Sequence, residues 1–147
     1  FEWDARNSSN VTLRTTRWRF DTGGNGIFFT SRDSSNTAVL LSSVNITGGI
    51  DRGVVLNARD SSSLKTRLTD CRLLNNFAGF QASSNLNSLI CARLLGNTSD
   101  LYEFIGASTL PIMVENLGSL TNTDNVGASS ISGAVQNAAL DSCGIPL

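Results

Sequence analysis

Two aspartates stand in matching settings, Arg32-Asp33-Ser34-Ser35 and Arg59-Asp60-Ser61-Ser62. If the chain lays these stretches side by side, the carboxylates approach the separation of about 5 to 5.5 Å at which a retaining glycosidase pairs its nucleophile with its general acid. The competing role is local. An Asp in a Ser-rich turn caps that turn and pairs with neighbouring cations, which keeps its carboxylate ionised, and this reading of Asp33 and Asp60 outweighs the catalytic one. The arginines of the same motif, Arg6, Arg32 and Arg59, recur 26 and 27 residues apart. Stacked, their planar guanidinium forks would grip the carboxylates or hydroxyls of an acidic polysaccharide, or an acidic strip on a neighbouring subunit. Like charges stacked one above another repel, so Asp33 and Asp60 are also expected to balance them. Trp3, Tyr102 with Glu103, and Asp100 complete the candidate carbohydrate contacts, rings serving as platforms and carboxylates as hydroxyl acceptors.

Much other chemistry is excluded. The chain has no histidine, which removes Ser-His catalysis and imidazole metal ligation. Cys71, Cys91 and Cys143 are odd in number and scattered. They spell neither a zinc knuckle nor a disulfide framework, and buried free thiols are the expectation. With no metal-ligand cluster and no phosphate-cradling glycine loop, neither a metal nor another cofactor is expected. A formal charge of −1 on 147 residues points to no nucleic-acid partner. No apolar run reaches the roughly 18 residues needed to span a bilayer, so membrane insertion is not expected. The start, Phe1-Glu2-Trp3-Asp4, reads as that of a fragment or processed product. Asn7, Asn10, Asn45 and Asn97 head glycosylation sequons, which in so Asn/Ser/Thr-rich a chain arise by chance.

The elements that would position these residues follow from the repeat, the strongest signal in the chain. The lines Gly26-Ile27-Phe28-Phe29 and Gly53-Val54-Val55-Leu56 open successive units, and Gly79-Phe80-Gln81-Ala82 opens a looser fourth. Alternation such as Trp18-x-Phe20, Val44-x-Ile46 and Cys71-x-Leu73 has the period of strands buried on one face, and no stretch keeps a helical period. In the run Arg17-Trp18-Arg19-Phe20 it turns the aromatic rings inward, away from any ligand. Three short strands per unit fit one rung of a parallel β-helix. The fold predicted is all-β, a right-handed parallel β-helix of about five rungs of roughly 21–27 residues over 1–126. Trp18, Val44, Cys71, Ala92 and Leu117 are expected to form one inward column. Residues 127–147 should cap the stack or serve oligomerisation, with a short helix near 133–140, because an open end exposes unpaired backbone.

On these rung openings and Asn/Ser/Thr/Gly-rich turns, the chain resembles the β-helix region of phage tailspike and tail-fibre proteins. The resemblance implies a homotrimer on a virion, facing outward beside other virion proteins and attaching to bacterial surface polysaccharide. The same architecture serves pectate-lyase-like enzymes, so one alternative is a polysaccharide lyase or glycoside hydrolase using Asp33 and Asp60. Another is a virion decoration protein without a glycan ligand.

Overall fold

The computed structural model describes all residues except 22–25, 49–50, 116, 120–124 and 146–147. Strands follow one another in coils. The first coil holds β1 (Glu2–Ala5), β2 (Asn10–Thr16) and β3 (Arg19–Asp21). The second holds β4 (Ile27–Ser31), β5 (Asn36–Ser42) and β6 (Asn45–Thr47), and the third β7 (Arg52–Ala58), β8 (Ser63–Thr69) and β9 (Arg72–Leu74). Then come β10 (Ala78–Ser84), β11 (Leu89–Leu95), β12 (Thr98–Gly106), β13 (Ile112–Glu115), β14 (Val126–Gly133) and β15 (Val135–Ala138). Every pairing is parallel and joins one coil to the next, as in Glu2↔Phe28↔Val55↔Gln81↔Glu103↔Ser130. The result is a parallel β-solenoid of about five turns. Its first sheet contains β1, β4, β7 and β10 and bends through β12 into β9, β6 and β3; its second runs β15-β13-β11-β8-β5-β2.

The expected helix near 133–140 is absent. Val135–Ala138 is strand β15, paired with β13, while β14 stacks on β12, so small residues here follow the ladder of the preceding coil. No helix among the described residues is long and apolar enough to cross a membrane.

The core lies inside the coils. Alternate residues of β4, β7, β10 and β12 bring Phe29, Leu56, Ala82 and Phe104 into one fully buried column. Gly26 and Gly53 share a tight column beside it: a Cβ on Gly53 would lie 2.6 Å from the Gly79 carbonyl oxygen, closer than atoms tolerate. Glycine at each rung opening thus allows close backbone approach.

One expected column needs correction. Trp18, Val44 and Cys71 do stack, each carbonyl accepting the amide that follows the next member. The column then continues through Asn97 and Asn125. Ala92 belongs to β11, between Thr66 of the coil before and Val114 of the coil after, and Leu117 lies in a 3-10 turn against the core. The likeness of Ala92-Arg93-Leu94-Leu95 to Cys71-Arg72-Leu73-Leu74 misaligns the fourth unit by one strand. Trp18, in the first coil, is 38% exposed, and the Phe20 side chain lies outside the described residues, as do the glycine-rich turns at 22–25 and 49–50.

Asn97 and Asn125 are buried polar residues that satisfy the corner. Asn97 Oδ1 accepts the Cys71 amide (2.9 Å), and its Nδ2 donates to Leu68 O (3.0 Å) and Asn125 Oδ1 (2.9 Å). Asn125 repeats the pattern one coil on, accepting the Asn97 amide and donating to Leu94 O. Such side chains close hydrogen bonds that the sheets leave open where the chain changes direction.

Candidate functional site

The recurring Arg motif makes the corner between the two sheets. In each copy two consecutive residues take left-handed backbone: Asn7 and Ser8, Asp33 and Ser34, Asp60 and Ser61. Asn, Asp and Ser reach this region more readily than bulky residues because their short polar groups bond locally. The next serine is turned inward. Ser35 Oγ donates to Ala5 O (3.1 Å) and Ser62 Oγ to Ser31 O (2.6 Å), while Ser62 Oγ also accepts the Arg59 amide (3.1 Å). The second and third corners are therefore bonded to the coil beneath them, whereas Ser9 Oγ, in the first coil, has no partner among the described residues. A fourth copy, Asn85-Leu86-Asn87-Ser88, escaped the sequence pattern because it lacks the Arg. Leu86 and Asn87 have the same left-handed backbone, and Ser88 Oγ donates to Ala58 O (2.6 Å).

Arg6, Arg32, Arg59 and Asn85 consequently form one column along the corner, each of the last three sending its amide to the coil before. Beside it, the outer face of the first sheet presents Asp4↔Thr30↔Asn57↔Ser83 in register. Together they line a polar groove of about 450 Å³ that also touches Glu2 and Phe28. Asp4 organises one end, accepting from Arg6 Nε (2.7 Å) and Arg32 Nε (3.0 Å), with the Arg32 terminal nitrogen also on its carboxylate. Arg59 is more open. Its side chain is 46% exposed, and its Nε lies 3.9 Å from Asp60 Oδ2, too far for a hydrogen bond. The groove thus holds two arginines clamped by one carboxylate and a third still able to pair with a ligand anion. Farther along the face, Gln81 Nε2 donates to Glu103 Oε2 (2.5 Å), with Arg52 Nε 3.9 Å from the same carboxylate.

The expected site residues are distributed unevenly. Arg6, Arg32 and Arg59 share the groove; Asp33 and Asp60 occupy left-handed corner positions beside it, Asp33 exposed and Asp60 half-buried. Trp3 lies opposite Phe29 on the core-facing side of the first coil, 43% exposed. Asp100 accepts the Asn76 amide at a turn (2.9 Å). Tyr102 is a correction: it is wholly buried, its hydroxyl donating to Asn97 O (3.0 Å), so its ring meets no surface ligand. Burial, with a smaller contribution from Cys71, pushes the Tyr102 hydroxyl well above the ordinary phenol range. Sequence reasoning missed Asp4, Asn57, Ser83 and Asn85. The signal available for them was alternation along the strands, which sets i and i+2 on the same outer face.

The cysteines also depart from expectation. Cys91 and Cys143 form a disulfide, leaving Cys71 as the free, buried thiol. The bond ties the segment after β15 to the outer face of the second sheet, where Glu115 accepts the amides of Asp141 (3.0 Å) and Cys143 (2.8 Å). Spacing could not reveal it, because the partners are 52 residues apart and meet only through the coil. Among the described residues no cluster of three or more Cys, Asp or Glu is arranged to hold a metal. No protein-family model matches the chain, and neither a curated protein nor a solved structure matches it.

Proposed function

We propose that this chain is an adhesive module of a virion spike or tail fibre, a rigid solenoid whose corner groove attaches to bacterial surface polysaccharide. The observation that carries the reading is the groove itself. A column of Arg6, Arg32 and Arg59 borders a strip of hydroxyls and amides on strands paired in one ladder. Planar cations beside hydroxyl and amide donors suit uronate carboxylates and sugar hydroxyls. The Cys91–Cys143 disulfide agrees with work outside a reducing cytoplasm. Three copies in a homotrimer would offer three grooves to a repeating glycan, so weak contacts add through effective concentration.

The test is titration of the chain with polygalacturonate and with neutral dextran, alongside light scattering for its mass. Polygalacturonate should bind and dextran much less, with Arg59→Ala weakening binding about tenfold as one charge-assisted contact is lost. Equal binding by Arg59→Ala and the parent chain would refute the groove. Cleavage of the polymer, abolished by Asp60→Asn in a folded variant, would make the chain a lyase or hydrolase instead.

A further inference from the structure

We propose a second binding site on the opposite face of the solenoid, a pocket centred on Arg67 that takes a carboxylate carried on a compact apolar ring. On the outer face of the second sheet, Arg14, Leu40, Arg67, Arg93 and Glu115 lie in successive register positions. Arg93 is neutralised by Glu115 (3.6 Å) and by Asp141, which the disulfide-anchored segment brings over it. Arg67, one strand away, makes no ion pair with any described side chain, because both carboxylates of this face are taken by Arg93, and Lys65 on its own strand adds further positive charge. A half-buried guanidinium left among cations attracts an anion from outside.

The space beside it has a shape. Arg14 and Arg67 flank a cavity of about 220 Å³ whose centre is crossed by Leu40, with the hydroxyl row Thr16, Ser42 and Thr69 along one side. Leu40, half-buried and outward-facing, supplies an apolar surface for a ring. The Arg67 fork offers two parallel N–H donors to a planar carboxylate, and the hydroxyls can bond its remaining lone pairs. The site is separate from the corner groove: none of its residues lines that groove.

Benzoate is the probe, with benzyl alcohol for the ring without the charge and sodium sulfate for the charge without the ring, all at constant ionic strength. Calorimetry should show benzoate binding at least about tenfold more tightly than either control, and amide NMR shifts should concentrate on 40–42 and 67–69. Arg67→Gln should lose about tenfold or more in benzoate affinity, and Arg67→Lys, which keeps the charge but not the fork, should fall between. Arg59→Gln, in the corner groove, should bind benzoate unchanged, so failure of the groove and of this pocket can be told apart. Benzoate affinity unaffected by Arg67→Gln, equal binding of either control, shifts outside these segments, or no binding at all would each overturn the proposal.

Discussion

Replacing Asn97 by alanine isolates what the buried corner asparagines contribute. Asn97 is 1% exposed and makes three hydrogen bonds through its side-chain amide, accepting from the Cys71 N–H and donating to Leu68 O and Asn125 Oδ1. Asn97→Ala strands the Cys71 N–H away from water, at about 1–3 kcal/mol for a buried donor left unsatisfied, and removes the bonds to Leu68 O and Asn125 Oδ1 at about 0.5–1.5 kcal/mol each. Allowing for partial relaxation, the expected loss is about 3 kcal/mol, more than a hundredfold in the folding equilibrium. The assay is urea unfolding followed by fluorescence of Trp3 and Trp18, with Asn36→Ala for comparison. Asn36 Nδ2 also reaches an asparagine, Asn10 Oδ1, at 3.3 Å, but at an exposed corner, so its loss should stay within about 0.5 kcal/mol. A double-mutant cycle with Asn125→Ala should show coupling, since the pair shares a direct bond. A loss below about 1 kcal/mol for Asn97→Ala, with an unchanged denaturant slope, would refute the reasoning, for it would mean that water or a backbone shift replaces the side chain.

Four further outcomes follow from the geometry. Gly53→Ala should destabilise by about 1–3 kcal/mol in thermal unfolding, because its Cβ would meet the Gly79 carbonyl oxygen at 2.6 Å and neither backbone can yield without breaking pairing. Reducing the Cys91–Cys143 disulfide, which spans 52 residues, should lower stability by about 2–4 kcal/mol in urea, while Cys143→Ser should be insensitive to reductant. Val44→Asp, placing a carboxylate at a site 1% exposed between Trp18 and Cys71, should cost several kcal/mol or prevent folding, as read from circular dichroism. At high pH the folded chain keeps the Tyr102 proton, held by burial, after the unfolded chain releases it near pH 10. Its contribution is therefore complete below about pH 10 and falls by about 1.4 kcal/mol per pH unit above it. Burial raises the Cys71 thiol in the same direction, and Tyr102→Phe should flatten the alkaline slope by the tyrosine's share.

Local sequence determined the class of structure. The period-2 alternation of strands such as β5 and β8, the glycines opening units at Gly26, Gly53 and Gly79, and the recurrence of Arg-x-Ser-Ser state a stacked parallel architecture, because each coil reuses the geometry of the one beneath it. The motif arginines were visible for the same reason, and they do share a groove. What the repeat could not show lies where similar residues fill unlike places. Ala92-Arg93-Leu94-Leu95 imitates Cys71-Arg72-Leu73-Leu74 but belongs to another side of the coil, so the Asn97 and Asn125 column stayed hidden. Tyr102, adjacent to a charged residue in sequence, faces inward because alternation sends Glu103 out in its place. The disulfide, the Arg93–Glu115 contact and the pocket beside Arg67 join residues from different coils. Hydrophobic period fixes which face of a strand is buried, but distances between outward side chains depend on the number of residues in each intervening corner. Those lengths, varying from coil to coil, are what only the tertiary structure decided.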